Sequence, residues 1–450
     1  MDIKFYPYPT HLLNNYRSIC GQHAGILESS IAVNNRRPED VGLYSLFGKM
    51  PNYHKVIIHP DSEVEYHLVG YGLYFEESLI RLLGEGIERY ALMVAPNFLR
   101  DQIKYASYYD IQKEGVVIPW ELMNIYSDED YNRLNNRGLT HLQKLDKNSI
   151  IGWISCPSLL ETGKEVWIPA QMLFTGYKID TEISEKRFIF GYSKGSSAHT
   201  DFKKALLNAI LETIEVDPFI VKWYTMKPSI YTIVDDYTLI NALPGIFGEN
   251  TSFEVLPLLL NLEDTPGYVF GVTLINKKEE NPFIVFGSAA SLDPVKGLYR
   301  ALTEAAAITK MGDFGPVFNP DSYFKFPKDD SFTDLDKNVA YYLFPQEASK
   351  KREIFKNLTG SSLPLSGMKN LSTGDESNDI KYLISKLRKT VKYAIYLNIT
   401  PPELITKGWH VVRVFIPEYA TICPPGFPYS RHPRILKNGG IRNSNPHPLP

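Results

Sequence analysis

The chain has 450 residues, 44% of them hydrophobic and 22% charged, which is an ordinary globular composition with room for one large domain or two to three small ones. A net charge of −3 with no basic stripe argues against nucleic acid as the main partner. The N-terminal MDIKFYPYPT lacks an apolar core, no run of 18 apolar residues exists, and Cys20, Cys156 and Cys423 are far apart with no CxxC, so the expectation is a cytoplasmic protein that neither spans a membrane nor is secreted.

In chain order, residues 25–27 and 55–58 read as strands, and Arg36-Arg37-Pro38 reads as a loop. Residues 66–95 (YHLVGYGLYFEESLIRLLGEGIERYALMVA) carry the pattern on which the rest is organised. From Glu76 onward a helix is predicted: Ile80, Leu83, Ile87 and Tyr90 recur at helical spacing, and Leu79 and Leu82 widen the apolar face. Ser78, Arg81, Glu85 and Glu88 form a second stripe at steps of three and four, with Arg89 beside it. Gly84 and Gly86 each cost a helix about 1 kcal/mol relative to alanine, which implies close packing against that face.

Residues 105–150 read as loop and short helix, and 150–157 with 165–173 as a strand pair turning at Thr162-Gly163. Residues 187–192 read as a strand leading to a second helix, followed by strands at 230–234, 253–260, 268–275 and 283–286, the last feeding a third helix. Residues 345–380 read as an exposed helix and a loose linker, 382–395 as a helix and 408–417 as a strand. From Pro424 the chain is rich in Pro, Gly, Asn and Arg, and residues 446–450 (PHPLP) alternate prolines, which hold an extended shape.

The helical pattern recurs. Gly195 stands 17 residues before Glu212, Gly287 stands 17 before Glu304, and a serine follows each glycine. Asp201 and Asp293 each precede the glutamate by 11, where an N-cap is expected, and Pro294 suits a first helical position. One turn before Glu85, Glu212 and Glu304 sit Arg81, Asn208 and Arg300; three residues after them come Glu88, Glu215 and Ala307. Chance surface stripes do not share an N-cap offset and a polar residue one turn back. Packed side by side, such helices gather carboxylates that cannot all stay ionised without a counter-charge. Hard oxygen ligands without His or Cys suit Mg²⁺, and Mg²⁺ with a phosphate-bearing ligand supplies that charge.

Other motifs fail on context. Gly191-Tyr192-Ser193-Lys194-Gly195 matches a GxSxG nucleophile elbow, yet the next helix is expected only from Asp201. Asp313-Phe314-Gly315 lacks the rest of a kinase signature, and Gly70-Tyr71-Gly72 lacks the third glycine of a dinucleotide fingerprint. The ten histidines show no metal-ligand spacing; His67 and His199 read as turn or core residues.

Taken together, the chain resembles the YcaO family. Glu85-x-x-Glu88-Arg89 preceded by Ser78 resembles its first ATP-binding motif, Asn208, Glu212 and Glu215-Val216-Asp217 its second, residues 301–305 around Glu304 its third, residues 408–417 a late strand, and the closing prolines its PxPxP terminus. Val216 stands where an arginine is usual, and Thr309-Lys310 where an arginine is common. The resemblance implies an α+β fold with mixed and antiparallel sheets, in which strand–turn–helix units surround a nucleotide cleft. Its domains would be an N-terminal segment at 1–64, a catalytic domain at 65–430 and a Pro-rich tail at 431–450.

The resemblance further implies an ATP- and Mg²⁺-dependent cyclodehydratase that converts Cys, Ser or Thr of a ribosomal precursor peptide to thiazoline or oxazoline by phosphorylating the amide oxygen. ATP would be held by Ser78, Arg81, Glu85, Glu88, Arg89, Asn208, Glu212, Glu215, Arg300 and Glu304. Mg²⁺ would be held by Glu85, Glu88, Glu212, Glu215 and Glu304. The Pro450 carboxylate, carried by Pro446 and Pro448, is the candidate base. Implied partners are the peptide, an E1-like leader-binding protein and a flavin-dependent dehydrogenase, with a homodimer also open. A thioamide-forming relative and a non-catalytic scaffold subunit remain alternatives.

Overall fold

The computed structural model describes residues 9–23, 25–33, 41–61, 68–136, 142–248, 251–318, 320, 324 and 332–449. Four sheets carry the chain. One holds β1 (Ser29–Val33), β2 (Tyr44–Lys49) and β3 (Leu68–Gly72); a second holds β4 (Ile103–Ala106), β5 (Ile151–Pro157) and β6 (Glu165–Pro169). The third runs β13 (Ile395–Asn398), β14 (His410–Phe415), β7 (Ser196–His199). The largest runs β11 (Ile284–Ser291), β10 (Tyr268–Asn276), β9 (Phe253–Leu259), β8 (Ser229–Ile233), β12 (Thr359–Pro364), antiparallel except for β8 with β12. The sheets are therefore antiparallel and mixed, as expected. Among the described residues no helix is long and apolar enough to cross a membrane.

Three long helices give the molecule its plan. Phe75–Phe98 follows β3, Phe202–Thr225 follows β7 and Pro294–Phe318 follows β11, each after a link of two residues. The links are short because the caps are local: the Asp201 carboxylate accepts from the Lys204 N–H, and Asp293 accepts from the N–H groups of Val295 and Lys296. Tyr74, at the first link, offers no cap, and Glu77 instead reaches back to the Leu73 N–H. Each helix packs on its own strand and on the next unit's strand: the first on β3 and β7, the second on β7 and β11, the third on β11 and β3. The three units thus close a ring, and one face of every helix looks toward its centre.

The Gly-Ser pairs belong to the strands rather than to the links before the helices. Gly287-Ser288 lies inside β11 and Gly195-Ser196 opens β7. A Cβ on Gly287 would meet the Ala305 N at 2.3 Å, and one on Gly70 the Ser78 O at 1.8 Å, so these glycines let strand and helix backbones touch. Gly86 is likewise pressed on Leu27. On the first helix Leu79, Leu82, Leu83 and Ile87 are buried as the periodicity predicts, whereas Ile80 faces outward.

Several local readings are overturned. Residues 55–58 fall in and just after a short helix, Tyr53–Ile57: Val56 is 86% exposed, and among the described residues no strand pairs with it. Residues 25–27 make only an isolated bridge, Cys20 to Leu27. Residues 187–192 form no strand, because side chains satisfy part of the backbone, as where the Phe188 N–H donates to Gln171 Oε1. The strand before the second helix is β7. The supposed loose stretch within 345–380 is folded: β12 pairs with β8, and Asp379 accepts from Ser372 and Thr373 ahead of the helix Glu376–Leu387. That helix ends before the 395 expected, and Ile395 begins β13. Residues 170–173 are helical rather than strand. Arg36-Arg37-Pro38 and His67 lie outside the described residues, and His199 takes the turn role expected of it, accepting from the Asp201 N–H.

Candidate active site

The ring closure brings the polar stripes of three helices together. Glu88 and Glu215, one turn after Glu85 and Glu212, each take a hydrogen bond from the serine of the next unit. Ser196 Oγ donates to Glu88 Oε1 at 2.8 Å, and Ser288 Oγ to Glu215 Oε1 at 2.8 Å. The third unit departs from the rule on both sides. Ala307 replaces the second glutamate, and Tyr71 occupies the place of the serine, packed against the core that contains Ala307. The Ser288 N–H donates to Glu304 Oε2 at 2.8 Å. Lys194, in the bend before β7, reaches among the carboxylates: its Nζ is 3.8 Å from Glu212 Oε1 and 3.6 Å from Glu215 Oε1, and Glu304 and Glu85 also act on its charge.

The cations are distributed around this cluster. Arg89 Nε donates to Glu85 Oε1 at 2.7 Å, and Arg89 also holds Ser193 Oγ. Arg81 donates to Glu77 Oε1 at 2.7 Å and to the Tyr71 carbonyl at 2.9 Å, with its guanidinium over the Tyr71 ring. Arg300 lies on the Glu304 side, where both it and Arg81 bear on Tyr71. Asn208 is half-buried one turn before Glu212. Ser78 stands apart: it is fully buried and donates to the Tyr44 carbonyl at 2.8 Å, so its hydroxyl ties the helix to β2.

Burial raises the pKa of three of the carboxylic groups. Glu212 and Glu304 are pushed up to about 7, by desolvation first, then by Glu215 and in the case of Glu212 by Glu85, against the pull of Lys194. About a quarter of the Glu212 side chain still touches solvent, but protein surrounds the rest. Glu88 is also raised by burial and by Glu212 and Glu85. The folded, ligand-free protein therefore holds protons here that the unfolded chain releases above about pH 4.3. Stability from these groups is present at low pH and is lost as pH rises through about 7. Melting temperature is expected to fall between about pH 5.5 and pH 8, and thermal melts of Glu212→Gln should show a flatter profile.

Two residues that the sequence reading passed over shape the site. Lys194 appeared there only inside the discarded GxSxG match; no helix follows Ser193, whose carbonyl and hydroxyl serve Arg413 and Arg89. Arg413, fully buried in β14 opposite Ser196, donates Nη1 to the Ser193 and Lys194 carbonyls. Burial lowers its pKa to about 10. One arginine among the apolar residues 411–415 is the signal that could have exposed it. Val216 is buried in the apolar core, and Thr309 donates to the Ala306 carbonyl. Lys310 lines a separate cavity with Lys278, Glu280 and Asp313.

The tail is packed rather than loose. Residues 446–449 are buried. Trp223 Nε1 donates to the Asn445 carbonyl, Tyr342 to the Pro446 carbonyl and Asn338 to the Leu449 carbonyl; the His447 imidazole lies against Phe219 and Cys423. It packs on the second helix between Phe219 and Tyr224, and Phe219 is one turn after Glu215. Pro450 lies outside the described residues.

The donor set fits Mg²⁺ and a polyphosphate in kind: carboxylates, arginines and a lysine, with no His or Cys. Among the described residues no three acidic, His or Cys side chains already stand in ligating geometry. The carboxylates are engaged by Arg89, Ser196, Ser288 and Lys194, and would have to turn from these partners to hold an ion.

The family model described as YcaO cyclodehydratase, ATP- and Mg²⁺-binding, matches residues 69–420, which include all five glutamates and Arg413. No curated protein sequence matches the chain. Among solved structures, a heterocyclase in complex with substrate and cofactor superposes with TM-score 0.73 at 18% identity, covering 97% of this chain and 57% of that one. This chain thus spans a little over half of that heterocyclase. YcaO from Methanopyrus kandleri bound with AMPPCP and Mg²⁺ gives 0.60 at 16% identity, over 88% and 86% of the two chains. The E. coli microcin synthetase McbBCD complex with pro-MccB17 bound gives 0.57 at 13% identity, over 94% and 96%. At these identities the likeness is one of fold, and the match to the family model over most of the chain decides membership: this protein belongs to the YcaO family, whose cofactors are ATP and Mg²⁺.

Proposed function

We propose that the chain is an ATP-dependent peptide cyclodehydratase, forming thiazolines or oxazolines from Cys, Ser or Thr of a precursor peptide. The observation that carries this is the convergence of Glu85, Glu88, Glu212, Glu215 and Glu304 from three helices on one centre, ringed by Arg89, Arg81, Arg300 and Lys194. Glu85, Glu212, Glu215 and Glu304 would hold Mg²⁺, with Glu88 behind them; bound there, Mg²⁺ supplies the positive charge that lets carboxylates and phosphates share one cleft. The arginines and Lys194 orient the phosphates and take up charge spreading over the γ-phosphoryl group. In the peptide, the thiol or hydroxyl adds to the preceding amide carbonyl. The amide oxygen accepts the γ-phosphoryl group and departs as phosphate, and the amide nitrogen loses its proton. The Pro450 carboxylate is the base proposed for that proton.

Val216 does not count against activity, because Lys194 brings a cation to Glu212 and Glu215 from another part of the chain. A tail docked along the second helix supports azoline formation over the thioamide alternative. An E1-like partner, a flavin-dependent dehydrogenase and a homodimer belong to this proposal as well; the microcin synthetase, a complex with pro-MccB17 bound, supports a peptide and partner proteins in general.

The test is incubation of the protein with ATP, Mg²⁺ and a Cys/Ser/Thr peptide, with and without the leader-binding partner. One water lost from the peptide per phosphate released is the expected result, much slower without the partner. Sulfur incorporation without loss of water, or no ATP consumption in the complete mixture, would overturn the reading.

A further inference from the structure

Lys194 is delivered to the acidic centre by a stiff corner. The carbonyls of Ser193 and Lys194 both accept from Arg413 Nη1, at 2.8 and 2.5 Å, and Arg413 is itself fully buried in the central strand of its sheet. Directly after Lys194 the backbone at Gly195 takes φ +94°, a conformation that favours glycine. A Cβ there would meet Thr213 Oγ1 at 2.5 Å and the Val414 carbonyl at 2.6 Å. The backbone of this corner is therefore fixed on both sides, while the lysine stem beyond it keeps its freedom.

The ammonium group is shared, not locked. At 3.6 and 3.8 Å its contacts to Glu215 and Glu212 are longer than charge-assisted hydrogen bonds, unlike the 2.7 Å Arg89–Glu85 pair beside it. Glu304 and Glu85 feel the same charge from the other two helices. A compact cation within 4 Å of two proposed Mg²⁺ ligands, Glu212 and Glu215, competes with a divalent ion for their oxygens, and it relieves part of the repulsion that such an ion would otherwise relieve.

We propose that Lys194 is an internal place-holder for the divalent cation: its Nζ fills the centre in the nucleotide-free protein and swings onto the phosphates when Mg²⁺ and ATP enter together. This rests on the reading that Mg²⁺–ATP binds at these glutamates. It makes metal and nucleotide loading interdependent, since metal alone must displace the lysine while the metal–nucleotide complex offers the lysine a new partner. A permanent ion pair would instead leave Lys194 in place throughout.

Two titrations separate these outcomes: Mn²⁺ binding to nucleotide-free protein, followed by electron paramagnetic resonance, and binding of a non-hydrolysable ATP analogue with Mg²⁺, followed by calorimetry. Lys194→Met is expected to bind Mn²⁺ alone at least about tenfold more tightly than the unmodified protein, because a full competing charge is gone. It should bind the Mg²⁺–nucleotide complex about tenfold more weakly. Lys194→Arg should restore weak Mn²⁺ binding, and Lys194→Gln gives a second neutral variant should Met not fold. Mn²⁺ affinity unchanged or lowered in the folded neutral variants overturns the proposal. Failure of the unmodified protein to bind the Mg²⁺–nucleotide complex overturns the reading beneath it as well, so the two failures are distinguishable.

Discussion

Adding a few residues after Pro450 is expected to cut azoline formation by roughly 10²–10⁴-fold, the span of general acid–base contributions, with little change in melting temperature. The reason is reach. His447 lies against Phe219, and Phe219 is one helical turn, about 6 Å, from Glu215. An extended segment advances about 3.1 Å per residue, so a terminal carboxylate three residues beyond His447 has a reach of at most about 9 Å, which exceeds that one turn. An extension moves that carboxylate and keeps residues 446–449 in their groove.

Deleting residues 446–450 should also abolish ring formation, but it is the poorer experiment. It exposes the pocket filled by Leu449, worth about 2 kcal/mol, and leaves buried donors of Asn338 and Tyr342 without acceptors, at about 1–3 kcal/mol each. Loss of activity could then follow from a loosened second helix. The discriminating outcome is rate against stability in the extended protein. Azoline formation at the native rate there removes the carboxylate from the chemistry and leaves the tail as a structural plug.

Glu212→Gln is expected to lower kcat by about 10²–10³, the loss typical when one preorganised charge at a reacting centre is removed. The same change should leave the nucleotide-free protein at least as stable at pH 8 as the unmodified chain. Glu212 is held there against desolvation, Glu215 and Glu85, and a neutral amide escapes all three. Activity and stability thus move in opposite directions, which a merely structural glutamate would not produce. Phosphate release and thermal melts on the same preparation check both signs; a variant that loses stability and activity together would place Glu212 in the scaffold instead.

The sequence by itself determined the three helices, their carboxylate register and the caps Asp201 and Asp293. These are local quantities: a 3.6-residue period and a side chain bonding to an amide two or three residues on are written in a dozen consecutive residues. The repeated Gly-Ser and the +3 glutamate were also legible, but not their meaning. Ser196 meets Glu88 and Ser288 meets Glu215 only because each helix packs on the following unit's strand. The misread segments failed for the same reason. Whether residues 55–58, 187–192 or 359–364 become strands depends on whether another strand lies alongside, which no window of neighbours contains. Lys194 is the extreme case. Its place among the glutamates is fixed by Arg413, 219 residues further along the chain, through backbone carbonyls that carry no sequence signature. The charges of the site were written in the sequence; their centre was decided by tertiary structure, because electrostatic interactions act across distances in space that chain separation does not measure.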